Sequence, residues 1–134
     1  MRVRNILFCD DIRQEVGGKL SVMGVLGDTV NISVPADAPK EVPLSLAALA
    51  TLEYTDKHKN VALSADLLIG GESIGRLEAQ VELKGDGKIF HVPFPRFPVQ
   101  VTNSTDVSIN LQVKDGDILI AEYRETLQVK LSRG

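Results

Sequence analysis

Val107-Ser108-Ile109-Asn110-Leu111-Gln112-Val113-Lys114 decides the fold class of this chain. Every second residue is a branched aliphatic, and the residues between are polar. Side chains on a strand alternate between two faces, so the stretch reads as a strand with one face in a core and one in water. The same period recurs outward in both directions. Leu77, Ala79, Val81 and Leu83 alternate with Glu78, Gln80, Glu82 and Lys84, and Leu127, Val129 and Leu131 alternate with Thr126, Gln128 and Lys130. Val61, Leu63, Ala65, Leu67 and Ile69 form a further set with a wetter opposite face.

Turn chemistry separates these runs. Gly17-Gly18, Gly70-Gly71, Gly85-Asp86-Gly87 and Asp115-Gly116-Asp117 each stand between two strand-like stretches, and glycine supplies the positive φ of hairpin turns. Two proline clusters, Pro35 to Pro43 and Pro93-Phe94-Pro95-Arg96-Phe97-Pro98, read as irregular connections, because proline cannot donate to a ladder. Strands are expected near residues 3–16, 19–26, 29–34, 44–54, 60–70, 73–84, 88–92, 105–114, 117–123 and 125–131, some of them merging. Residues 44–54 (LSLAALATLEY) also show helical spacing, but their alternation and their β neighbours favour a strand. The pattern predicts one all-β domain over residues 1–134. It should be an antiparallel two-sheet sandwich, immunoglobulin-like or jelly-roll-like, with a barrel as the second choice.

Composition narrows the function classes. The 134 residues are 43% apolar with no Trp, so a single aliphatic core is expected. Fifteen Lys and Arg against eighteen Asp and Glu, with no basic run, argue against nucleic acid. One cysteine, Cys9, allows neither an internal disulfide nor a thiolate zinc site. Within Ile6-Leu7-Phe8-Cys9 it reads as a buried, inert thiol. The same short apolar run is no membrane span, so the cytoplasm is the expected compartment and the sequons at Asn31 and Asn103 carry no weight.

The stretch Phe8 to Gly24 is the most distinctive part. A two-residue turn at Gly17-Gly18 would put Arg13 and Glu15 on the face of Leu20 and Val22. A three-residue loop, Gly17-Gly18-Lys19, instead pairs Val16 with Leu20 and Gln14 with Val22, which gathers Phe8, Ile12, Val16, Leu20 and Val22 on one face. That register predicts a charge ladder of Asp11, Arg13 and Glu15 on the outer face. It leaves Asp10 with core parity, at a rim or buried and hydrogen-bonded. The spaced set Cys9, Asp10, Asp11, Arg13, Glu15, Gly18, Lys19, Ser21 and Gly24 (C-D-D-x-R-x-E-x-x-G-K-x-S-x-x-G) resembles the start of a family of small uncharacterised bacterial β-sandwich domains. The resemblance implies a bacterial sandwich and carries no activity or catalytic residue.

Catalytic constellations are thin. His58 and His91 lack spaced carboxylate partners, no nucleophile elbow is present, and paired carboxylates without aromatic platforms do not make a glycosidase. No cofactor is implied. Loop carboxylates at Asp28, Asp37, Asp56, Asp86, Asp106, Asp115 and Asp117 leave a small-ligand or calcium-binding sandwich as the second reading. The first is a non-enzymatic module that binds a protein partner or self-assembles as a homo-oligomer. Its candidate residues are Asp10, Asp11, Arg13 and Glu15 on the hairpin, and Phe94 and Phe97 in the proline cluster, where the aromatics either fold over the end of the sandwich or form an exposed patch.

Overall fold

A computed structural model describes residues 1–55, 59–84 and 88–134. Its strands are β1 (Arg2–Gln14), β2 (Leu20–Val25), β3 (Thr29–Val34), β4 (Val42–Glu53), β5 (Asn60–Ile69), β6 (Glu72–Glu82), β7 (Ile89–Val101), β8 (Thr105–Asp115) and β9 (Ile118–Arg133). They form a four-stranded sheet in the order β2-β1-β4-β7 and a five-stranded sheet in the order β3-β9-β8-β5-β6. The two-sheet sandwich is therefore present, and neither sheet closes into a barrel. Pairing is antiparallel except for β3 on β9, which runs parallel. The expected turn at Gly85-Asp86-Gly87 lies outside the described residues.

The core follows the alternation. Val107, Ile109, Leu111 and Val113 of β8 are buried together with Leu46, Ala48, Ala50 and Leu52 of β4, Val61, Leu63 and Ala65 of β5, and Leu127 and Val129 of β9. The expected strands 117–123 and 125–131 merge into β9, whose outward residues Glu122 and Arg124 simply continue the pleat.

β4 explains the helix-like composition of residues 44–54. It lies between β1 and β7, and its run Leu46-Ala47-Ala48-Leu49-Ala50 is buried throughout, on both faces. Even-numbered residues enter the core between the sheets. Ala47 and Leu49 face the other way, beside Cys9 and Leu7 of β1. That side is sheltered by the tip of the β1–β2 hairpin, where Gln14, Glu15, Gly18, Lys19 and Leu20 share a hollow with Leu49, His91 and Pro93. A strand covered on both faces needs no polar alternation.

The proline cluster corrects the expectation of an irregular connection. Residues 89–101 form one strand, β7, at the edge of the smaller sheet. Proline is tolerated there because a missing N–H can face the unpaired side. A bulge places one extra β7 residue opposite β4, between the pairs Ala48↔Phe94 and Leu46↔Phe97. An extra residue reverses the parity of everything beyond it. Phe94 and Phe97, three residues apart, therefore both face inward, as do Phe90 and Val92 before the bulge and Val99 and Val101 after it.

The opening hairpin is shifted from the expected register. Gln14 pairs with Leu20 and Ile12 with Val22, so the loop spans residues 15–19, closed by the Glu15 N–H donating to the Lys19 carbonyl at 2.7 Å. Val16, expected on the core face, is 96% exposed at the tip. The shift is by two residues, which leaves every face unchanged, so the parity argument could not see it. Two adjacent positive-φ glycines, Gly17 and Gly18, set the turn instead. Asp10 is exposed. The ladder between β1 and β4 ends at Cys9↔Ala47, and Asp10 lies just beyond it. Opposite Asp10 stands Gly24 at φ 65°, where an added Cβ would fall within 3.0 Å of the Asp10 carboxylate and its Cβ.

Two outcomes are expected in urea unfolding. Gly24→Ala should cost about 1–2 kcal/mol from left-handed backbone strain plus displacement of Asp10, with the Asp10→Ala, Gly24→Ala double variant recovering the steric share. Leu46→Ala, at a fully buried position, should cost about 2–5 kcal/mol.

Candidate functional site: an apolar cleft between two sheet edges

The strongest candidate lies where a four-stranded sheet fails to cover a five-stranded one. β7 ends the smaller sheet and β6 ends the larger. Between them opens a hollow of about 360 Å³ lined by Ala65, Leu67, Leu77, Phe94, Phe97 and Ile109, among others. A second, smaller hollow shares Ala65, Leu77 and Phe94 and continues past Leu63, Ala79 and Val92. Together they form one apolar cleft along the open side of the sandwich.

Register places these residues. Leu77 pairs with Ala65 and Ala79 with Leu63, so both have core-facing parity on β6. The sequence expectation of a half-buried strand over 73–84 holds only near its end, where Val81 and Leu83 pack on the core. Residues 72–80 are all exposed, and Leu77 is 55% exposed. The correct alternation is present, but no strand of the other sheet lies above it. Gly75 has core parity opposite Leu67, and a Cβ added there would meet nothing within 4 Å, so the missing side chain leaves the cleft open at this point.

The outer face of β6 is charged. The Arg76 Nε donates to Ser64 Oγ at 2.7 Å and lies 3.5 Å from Asp66 and 3.7 Å from Glu78. Such exposed pairs contribute little stability, but they hold the guanidinium on this face. Arg96, on the β7 side, donates to Ser45 Oγ at 3.0 Å.

The residues singled out from sequence are dispersed. Phe94 is a core residue, 5% exposed, and not part of a protruding patch; Phe97 is half-buried and lines the cleft. Asp11 and Arg13 pair at 3.6 Å on the hairpin, and the Asp11 carboxylate accepts from the Ile12 N–H at 2.9 Å. Glu15 belongs to the hairpin loop. The hairpin charges and the two phenylalanines thus form no common site. Among the described residues, no three His, Cys, Asp or Glu side chains gather to hold a metal ion. Asp56, His58 and Asp86 lie outside them. His91 Nδ1 lies 3.0 Å from Thr51 Oγ1 on the outer face of the smaller sheet. No helix among the described residues is long and apolar enough to cross a membrane.

Sequence reasoning missed β6 as a site because it read the strand's apolar face as core. One signal was available: residues 72–82 contain neither Pro nor Lys, the residues that commonly blunt an edge.

Cys9 is fully buried and free. Desolvation first, then the charge of Asp10, push its thiol above the ordinary value, with a backbone hydrogen bond at Asp11 opposing. The Tyr123 hydroxyl, which donates to Glu125 at 2.7 Å, is raised by that bond and by desolvation. Both groups release their protons later in the folded chain than in the unfolded one.

No family model matches the chain, and no curated protein matches it. Among solved structures, the N-terminal domain of PorA is similar over 96% of this chain and 97% of its own, at 12% identity and a TM-score of 0.31. A likeness that low carries no argument about function.

Leu77→Thr should leave stability within about 0.5 kcal/mol of the parent, whereas Leu63→Ala on the adjacent strand should cost about 2–5 kcal/mol, both read by urea midpoint. Iodoacetamide should label Cys9 far more slowly in the folded chain than in urea. The stabilising share of the Cys9 thiol is complete below its ordinary pKa of 9.0 and is lost as pH rises through its higher folded value. Tyr123 adds a loss of the same sign, so unfolding midpoints should fall at strongly alkaline pH.

Proposed function

We propose that this protein is a non-enzymatic interaction module that captures an extended protein strand at the free edge of β6. The captured strand would continue the larger sheet and set alternate apolar side chains into the cleft between β6 and β7. The observation that carries this reading is the state of β6: an edge strand of 11 residues, without Pro or Lys, whose core-facing Leu77 is more than half exposed. Unpaired N–H and C=O groups along such an edge are a template for another strand. Strand addition draws affinity from main-chain hydrogen bonds and specificity from pockets for alternate side chains. Both parts are available at β6, whereas β7 carries prolines at 93, 95 and 98 that weaken its own edge as a template. The single cysteine, free and buried, suits the reducing cytoplasm as the setting.

The test is an NMR titration of the full chain with synthetic peptides of alternating valine and threonine flanked by lysines, chosen to meet the glutamates of β6. Amide shifts should concentrate on residues 72–82 and on Phe94, Arg96 and Phe97, and Leu77→Lys should abolish them. Absence of β6 shifts at about 1 mM peptide, or shifts confined to the β1–β2 hairpin, would sink the reading.

A further inference from the structure

We infer that the strand received by β6 is the β6 of a second copy, paired antiparallel across a two-fold axis at Leu77. This rests on the reading of β6 as the docking edge and names its occupant.

Residues directly opposed in an antiparallel pair lie on the same face of the sheet, so a two-fold axis perpendicular to the sheet must pass through a residue pair i↔i. The central candidates on β6 are Arg76, Leu77 and Glu78. An axis at Arg76 opposes two guanidinium groups, and an axis at Glu78 opposes two carboxylates. Like charges directly opposite destabilise a sheet. An axis at Leu77 opposes Arg76 to Glu78 of the second copy and Glu78 to Arg76 of the second copy, two complementary pairs on the outer face. On the inner face it sets Leu77 against its own counterpart, flanked by the pairs Gly75↔Ala79 and Ala79↔Gly75. Both leucines are then covered, and the small residues beside them leave room for the contact.

Other edges are less suited. β7 carries three prolines, and β2 and β3 span only 6 residues each. On β6 the stretch from Gly75 to Glu82 pairs without irregularity; the bulge is at Ile74, the extra β6 residue between the pairs Leu67↔Gly75 and Leu68↔Ser73, so the ladder across the axis runs from Gly75 to Ala79. The exposed ion pairs select the register more than they tighten the complex. The short ladder makes a weak, concentration-dependent dimer.

Sedimentation velocity on the full chain from about 10 to about 500 µM should show a reversible monomer–dimer equilibrium. Arg76→Glu and Glu78→Arg should each weaken association roughly tenfold or more, and the double exchange should restore it to within about threefold. Thermal unfolding of each variant reports whether its monomer is intact. In a Cys9→Ser background, Leu77→Cys should yield a disulfide-linked dimer on mild oxidation, because opposed Cα atoms about 4.5–5.5 Å apart lie within the range a disulfide can bridge. A dimer indifferent to all three charge variants, or no cross-link, overturns the register. A chain that stays monomeric throughout while peptides still shift the β6 amides overturns the second copy as occupant and leaves the strand-capture reading standing. Monomer with no peptide response removes both.

Discussion

Unequal sheet widths govern the molecule. Four strands stacked on five leave one strand uncovered, and the exposure of residues 72–80 marks that strand as β6, at the edge of the larger sheet. Everything toward the middle of the sandwich is compensated by packing. β4 and β8 bury continuous aliphatic faces against each other's sheets, and the hairpin tip shelters the outer side of β4 around Leu49. At the β6 edge the compensation stops. Leu77 has the parity of a core residue and the exposure of a surface one. Apolar area left in water is an unrealised contribution of about 25 cal/mol per Å², available to any strand that covers it.

The two edges that border the cleft are treated differently. β7 carries three prolines yet stays a strand, because an edge tolerates missing donors and a bulge keeps Phe94 and Phe97 on the same face. Its edge is blunted while its inner face still serves the core. β6 is the reverse: its edge is open and its inner face is largely unused. One side of the sandwich thus pairs a closed rim with an open one. A partner strand would be directed to β6, with the β7 aromatics forming the far wall of the cleft.

The hairpin shows how little room separates two registers with identical faces. Sliding β2 by two residues changes the loop from three residues to five and moves Val16 from a core position to the tip, without moving Ile12 or Val22 to another face. Hydrophobic pattern constrains a register only modulo two. The rest is decided by turn geometry at Gly17 and Gly18, and by the close approach of Asp10 to Gly24. The distinctive acidic stretch at the end of β1 therefore acts in the bend of the hairpin. Of its charges, Asp11 and Arg13 pair with each other, and among the described residues no cluster of them gathers to hold a metal ion.

Alternation and turn residues by themselves determined the all-β class, the strands near residues 60–70, 73–84 and 105–114 and the burial of Cys9. These depend on period-two patterning and on local backbone preference, both carried by neighbouring residues. The strand state of residues 44–54 was legible only as the better of two readings, since a strand buried on both faces loses the polar half of its pattern. Three features were decided by tertiary structure: that residues 93–98 form an edge strand, that one loop glycine pair closes a five-residue turn, and that the apolar face of β6 is left open. Each depends on which strand lies beside or above another. That is a matter of sheet order and stacking, and no residue on β6 records whether a second layer covers it.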